Sequence, residues 1–292
     1  MLRARTLVLT SLAMIAFAGN SLLCRLALRQ THIDAASFTM VRLVSGAVVL
    51  GLIVGLRGCR RSGVGNWPSA LALFVYAAGF SFAYVVLPTA TGALLLFGAV
   101  QITMIGRGLW AGERLRKAQA AGCVLAFGGL VGLLLPGLSA PPLGGAMLML
   151  CAGFAWGVYS LRGKGALDPV AVTAGNFLRA VPMALLVGAF MFKDLSLDHA
   201  GVAHAAASGA LASGIGYAIW YSALPALKAT TAATVQLSVP LIAAIGGGVF
   251  LAEPVTLRLA LASVAVLGGI ALVVVRRKPD SERVASPKRS SS

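Results

Sequence analysis

A chain of 292 residues that is 59% hydrophobic and 11% charged, with a mean hydropathy of +0.90, is not a soluble domain, in which about 25% of residues are charged. Its net charge of +16 invites a nucleic-acid reading, but the cations stand at the ends of apolar runs rather than in a patch with interleaved aromatics, which excludes nucleic acid as a partner. The runs themselves, each about 20 residues long, mark an all-α, polytopic integral membrane protein.

Ten spans fit, at about residues 6–27, 34–56, 67–87, 90–111, 117–135, 142–161, 169–191, 201–223, 229–251 and 255–275. Span 1 follows Arg3 and Arg5 and contains Ala16-Phe17-Ala18, which resembles a signal-peptide cleavage site. Its apolar run exceeds the about 7–15 residues of a secretory signal, so it is read as a retained helix. At mid-depth it carries Phe17, Asn20 and Ser21, and a buried amide there needs either another helix or a polar ligand. Span 2 carries Arg42 and span 7 carries Arg179, each at a depth where an arginine costs at least a few kcal/mol. Their recurrence favours a structural role, such as bonding helix-end carbonyls, with a substrate carboxylate as the alternative. Span 3 aligns Tyr76, Phe80 and Tyr84 on one helix face; span 4 holds Phe97, Gln101, Thr103 and Arg107.

Spans 5 and 10 are the most uniformly apolar, and Gly128 and Gly132 have the G-x-x-x-G spacing that permits close helix packing. Span 6 adds Trp156 and Tyr159, and span 8 adds Tyr217 and Tyr221 with Trp220 between them. Such stripes are as often core or interface belts as cavity walls. Here they recur mid-span in matched helices, and phenol and indole groups suit a semi-polar cavity. Span 9 carries Thr234, Gln236 and Ser238, then Pro240, Gly246 and Gly248, which read as a hinge.

The chain also repeats itself. Shifted by 140 residues, Thr91–Val131 lies over Thr231–Ala271: Gly106 and Gly108 meet Gly246 and Gly248, Glu113 meets Glu253, and Gly128-Gly129 meets Gly268-Gly269. Upstream the offset is 137, with Arg25 on Arg162, Arg42 on Arg179 and Tyr84 on Tyr221. The expected halves are residues 1–138 and 139–277, followed by a basic, Ser-rich tail, 278–292, read as disordered and cytoplasmic. Five spans per half is odd, so the halves must be inverted in the membrane. Most cations fall on the N-terminal side of the spans, and the other side holds Arg25, Arg29, Lys193 and Arg258; both termini are therefore expected in the cytoplasm.

Absences narrow the chemistry. The carboxylates Asp34, Glu113, Asp168, Asp194, Asp198, Glu253, Asp280 and Glu282 all fall at span ends, in loops or in the tail, and His32, His199 and His204 are peripheral. No P-loop, nucleophile elbow or metal-spaced cluster occurs, so neither catalysis nor a metal or other cofactor is expected. Cys24, Cys59, Cys123 and Cys151 make no Cys-x-x-Cys pair and read as packing residues.

Ten helices in two inverted halves, each closing on helix–Glu–helix–Gly-Gly, resemble the EamA family of the drug/metabolite transporter superfamily. The run from Ser238 to Ile270 is similar to that family's second-half signature, whereas in the first half Val100 stands where Pro240 does in the second. Within the family the chain is most similar to the YddG-type exporters of aromatic amino acids. The resemblance implies export of amino acids or similar metabolites across a bacterial inner membrane by alternating access. The expected partners are the bilayer and a small amino-acid-like cargo, with a monomer as the oligomeric state.

The expected cargo-binding residues are Phe17, Asn20, Tyr76, Phe80, Tyr84, Phe97, Gln101, Trp156, Tyr159, Tyr217, Tyr221 and Gln236, on a cavity lined by spans 1, 3, 4, 6, 8 and 9. Arg42, Arg179, Pro240, Gly246 and Gly248 are expected to be structural or hinge residues. Glu113 and Glu253 are expected to cap the turns between spans 4–5 and 9–10. With no mid-depth acid, an uncoupled facilitator is expected; the alternatives are a proton-coupled antiporter, an exchanger of phosphorylated or nucleotide sugars, and a non-transporting membrane scaffold or enzyme.

Overall fold

The computed structural model describes residues 2–57, 65–110, 112, 117–137, 140–163, 166–223, 226–227 and 235–274. Glu113, Thr234 and the tail 278–292 lie outside the described residues. Among the described residues ten long helices follow one another: α1 (Leu2–Gln30), α2 (Ala35–Leu56), α3 (Trp67–Tyr84), α4 (Thr89–Trp110), α5 (Lys117–Leu134), α6 (Leu143–Gly163), α7 (Pro169–Phe190), α8 (His199–Ala223), α9 (Ser238–Leu251) and α10 (Leu257–Val274). The first eight are long and apolar enough to cross a membrane, and α9 and α10 contain shorter apolar helices. No strand occurs among the described residues.

Polar residues at the span ends start these helices. Asp34 accepts from Ala36 N–H and Ser37 N–H at the head of α2, and Asn66 accepts from Ser69 N–H at the head of α3. Asp168 does the same for α7 through Val170 N–H and Ala171 N–H, and Asp198 for α8 through Gly201 N–H. Each such cap stabilises a helix by about 1 kcal/mol.

The helices pack in a pattern that is preserved when α1–α5 are exchanged with α6–α10. α2 lies on α7, α4 on α9 and α5 on α10; α3 on α6 is matched by α1 on α8, and α3 on α7 by α2 on α8. The end of the bundle where α1 stops and α2 starts is called the far end below, and the opposite end the near end.

Two close approaches fix this packing. The α5–α10 contact is the most extensive in the bundle. A Cβ on Gly129 would lie 2.8 Å from Ala265 Cβ, and one on Gly269 would lie 2.5 Å from Gly122 O and 2.6 Å from Ala126 N. The second glycine of each repeated Gly-Gly pair is therefore the interface. Gly128, Gly132 and Gly268 face open space, so the G-x-x-x-G spacing is not a packing motif here, because neither of its glycines points at a helix. The other approach is in α8, whose middle, Ser208–Ile215, is π-helical. A side chain on Gly209 would collide with Ser45 Oγ and the carbonyl oxygen of Arg42, so the wide turn of α8 lies where it meets α2 most closely. Such bulges are frequent at functional sites.

Replacing Gly269 by Val should cost about 1–3 kcal/mol, because the added methyls meet backbone rather than yielding side chains. Replacing Gly268 by Val should be near neutral. The melting temperatures of the two variants in detergent test this contrast.

Candidate functional site

α1, α3, α4, α6 and α8 converge mid-bundle around a cavity. Phe17, Asn20 and Ser21 come from α1, Tyr76 and Phe80 from α3, Phe97 from α4, Trp156 from α6 and Tyr217 from α8. The space left between them is about 20 Å³, room for one ordered water and too little for an organic metabolite. The site is shut, and its own aromatic rings fill it.

The rings form a column through the protein. Tyr84 and Phe80 are 4.7 Å apart by centroid, Phe80 and Tyr76 5.5 Å, Tyr76 and Trp156 4.7 Å, and Trp156 stacks on Tyr159 at 5.4 Å. Tyr217 joins from α8, 5.1 Å from Trp156 and 5.8 Å from Phe17. The i, i+4, i+8 spacing in α3 puts three of these rings on one helix face, and α6 continues the column towards the near end.

A string of polar side chains crosses the column. Ser208 Oγ donates to Asn20 Oδ1 at 2.6 Å, and Asn20 Nδ2 donates to Tyr76 Oη at 3.2 Å. Arg42 Nη2 donates to the same Tyr76 Oη at 3.0 Å. Asn20 thus meets both α3 and the π-helical turn of α8. Arg42 does not bond a carbonyl among the described residues, so its expected structural role does not take that form. Its guanidinium carbon lies over the rings of Tyr76 and Phe80, 5.1 and 4.8 Å from their centroids. Arg179 bonds a carbonyl of its own helix, Gly175 O, at 2.9 Å.

The other expected residues lie elsewhere. Tyr159 and Tyr221 line a second, smaller pocket at the near end, with Thr173 and Asn176. Tyr84 is buried at the far end, its Oη donating to Thr89 O at 3.2 Å. Gln101 is buried in α4, its Nε2 without a hydrogen-bond partner among the described residues. Gln236 is half-buried ahead of α9. Neither glutamine lines the central cavity among the described residues, because the depth of a residue in a span does not fix the face it occupies. Pro240 falls in the first turn of α9, where its missing N–H leaves no gap in the helix. α9 runs unbroken through Gly246 and Gly248, and Gly246 is where Leu22 of α1 packs against it.

The far end is closed by charge. Arg25 Nε donates to Glu253 Oε1 at 3.1 Å, and Arg25 Nη1 donates to Tyr84 O and Val85 O, each at 2.8 Å. Arg29 Nη1 lies 3.8 Å from the same carboxylate oxygen and 3.4 Å from Leu251 O. Glu253 Oε2 accepts from Thr89 N–H at 2.7 Å, at the positive end of α4. Arg25 and Glu253 are each 9% exposed. Glu253 does not cap its own turn as expected: it caps α4, and Thr256 Oγ1 takes Leu259 N–H in the first turn of α10. The carbonyl-binding role expected of Arg42 belongs to Arg25. Neither Arg25 nor Ser208 was among the expected site residues. The match of Arg25 with Arg162 was a signal for the first; Ser208 stands in a run of small residues with no signal.

The near end is held differently. Arg162, the repeat partner of Arg25, donates from Nε to Ser69 Oγ at 3.0 Å and from Nη2 to Asn66 Oδ1 at 3.2 Å. Among the described residues no carboxylate faces it. No group of three or more acidic, His or Cys side chains forms a metal cluster among the described residues.

Comparison with known proteins adds the family. Residues 143–275 match the model of the EamA-like transporter family. The chain is 59% identical to an uncharacterized protein of Pseudomonas aeruginosa, over 94% of this chain and 96% of that one. It is 26% identical to an uncharacterized transporter of Archaeoglobus fulgidus, over 94% of this chain and 99% of the relative. A solved crystal structure aligns over 90% of this chain and 96% of its own with a TM-score of 0.63 at 21% identity, which shows a shared fold.

Cys24, one residue from Arg25 and 0% exposed, reports on the far-end closure. In protein whose other cysteines are replaced, Glu253→Gln should speed maleimide labelling of Cys24 several-fold. Gln keeps an acceptor for Thr89 N–H but leaves a buried guanidinium without its counter-charge. An unchanged rate would show that the ion pair does not hold this end shut.

Proposed function

The chain belongs to the EamA-like transporter family, and from that premise we propose that it exports small amphipathic metabolites, with aromatic and other neutral amino acids as the favoured cargo. The supporting observation is the composition of the central cavity: aromatic rings on several helices, crossed by one string of hydrogen-bonding side chains. Ring–ring contacts contribute about 0.5–1.5 kcal/mol each beyond area burial. An aromatic cargo would replace contacts that the rings now make with one another.

The mechanism we infer is alternating access between residues 1–138 and 139–277 as inverted repeats. The matched packing of α1–α5 and α6–α10 supports it, because two near-equivalent halves can exchange shapes. The cation distribution supports cytoplasmic termini in a bacterial inner membrane. On that reading the Arg25–Glu253 pair closes the outer mouth, and Pro240 with Gly246 and Gly248 remain the hinge candidates.

Transport is inferred to be uncoupled. Asp34, Asp168 and Asp198 are engaged as helix caps, and Glu253 sits in an ion pair at the far end. A coupling ion must bind the two conformations differently, and a cap that persists in both does not. The rival reading, proton antiport, would use Glu253 or Glu113: protonating Glu253 would release Arg25.

Proteoliposomes preloaded with unlabelled phenylalanine should take up labelled phenylalanine by counterflow, and Trp156→Ala should lower that rate at least tenfold. An imposed proton gradient alone should not accumulate the label. Accumulation above equilibrium under that gradient would establish the antiporter instead.

A further inference from the structure

We propose that the cargo is recognised by its carboxylate, through Arg42, and that no charged group recognises its ammonium. The inference rests on the central cavity being the cargo site, and it concerns a residue that does not touch the closed cavity.

Arg42 is 1% exposed and keeps its charge at any working pH. Among the described residues its hydrogen-bond acceptor is a neutral phenol, Tyr76 Oη, and its Nε and Nη1 have none. Each edge of the guanidinium therefore has an open donor. The faces of Tyr76 and Phe80 compensate part of the buried charge. No acidic group does so: the ion pairs among the described residues belong to Arg25 and Arg29. A buried, fully charged and under-satisfied guanidinium is costly to keep in the bundle.

The repeat shows that the fold does not require this arrangement. Arg179, at the matching place in α7, is half-buried and donates to a carbonyl of its own helix. Arg42 is instead enclosed where α2, α3 and the π-helical turn of α8 meet, so closely that a Cβ at Gly209 would collide with its backbone carbonyl.

Arg42 sits one aromatic layer behind the cavity, since the rings that cover it, Tyr76 and Phe80, are themselves cavity walls. Tyr76 is a positioning residue: it is tied to Arg42 on one side and to Asn20, a wall residue, on the other. When the rings part to admit cargo, a carboxylate reaches a guanidinium edge and makes paired, charge-assisted bonds. The opposite charge has no counterpart. No carboxylate lines the cavity among the described residues, so an ammonium meets rings and the Asn20 amide. The ligand class is thus aromatic monocarboxylates, with or without an amino group.

The test is calorimetric titration of the purified full-length protein with phenylacetate, phenylalanine, phenethylamine and phenylacetamide. Phenylacetate and phenylalanine should bind with similar affinity. The two probes lacking a carboxylate should bind about 10- to 100-fold more weakly, the range of a hydrogen bond to a charged group. Arg42→Gln should erase the preference for phenylacetate over phenylacetamide, Arg42→Lys should keep part of it, and Arg179→Gln should leave it intact. Equal binding of phenethylamine and phenylacetate, no binding of any probe, displacement of the site by chloride with no response to phenylacetate, or a preference surviving Arg42→Gln would each overturn the proposal. The comparison of probes on wild-type protein decides the matter even if Arg42→Gln fails to fold. If phenylacetate binding depends on Arg42 while phenylalanine is not transported, the amino-acid reading fails and this one stands.

Discussion

Inside a bilayer a polar group has to find its partner within the protein, and this bundle is arranged around that constraint. The Glu253 carboxylate is the clearest case. One oxygen takes Arg25 of α1, and the other takes the first N–H of α4, while Arg25 passes on to the last carbonyls of α3. A single carboxylate from the α9–α10 turn thereby joins the ends of three other helices. Each group in it would be costly alone, and together they satisfy most of one another's bonding capacity. Glu253 is thus a fastener between elements rather than a cap on its own turn, unlike Asp34, Asp168 and Asp198, which cap the helices they precede.

Among the described residues the near end, built from the corresponding helices, is held by neutral acceptors. Arg162 bonds Ser69 and Asn66, and Asn66 N–H bonds Asn176 Oδ1. A charged acceptor makes a hydrogen bond roughly twice as strong as a neutral one. Among the described residues, then, the far end carries a charged closure and the near end does not, although the packing is nearly symmetric.

Much of the fold was legible because hydropathy sets it directly. Spans of about 20 apolar residues became helices with boundaries within a few residues, except that the helix of span 9 starts at Ser238 rather than near 229, and Asp34, Asp168 and Asp198 sit where caps are needed. The aromatic column was legible in part, since i, i+4 spacing puts Tyr76, Phe80 and Tyr84 on one face. What spacing could not tell was how far along that face the cavity reaches, so Tyr84 serves the far-end closure instead. The Arg25–Glu253 contact joins residues 228 apart in sequence, and no local pattern encodes it. The π-helical turn of α8 coincides with the close approach of α2 at Gly209, which no local sequence pattern announces. The repeated Gly-Gly pairs were visible, but only the third dimension says which glycine of each pair faces the partner helix.

The two charged centres then divide the work between them. Arg25 is matched by a carboxylate and several carbonyls, so its energy is best met when the far end is closed. Arg42 is matched by a phenol and two ring faces, so its energy is not fully met in the closed state at all. A ligand gains most where the protein has left a group unsatisfied, and it can shift a conformational equilibrium only by its differential affinity for the two states. The closed cavity of about 20 Å³ excludes an organic anion, whereas an opened one would bring it within reach of Arg42. A carboxylate that completes Arg42 would therefore favour the open arrangement over the closed one. On the proposed uncoupled mechanism, where no ion gradient supplies the bias, that unmet charge is a source of it within the fold.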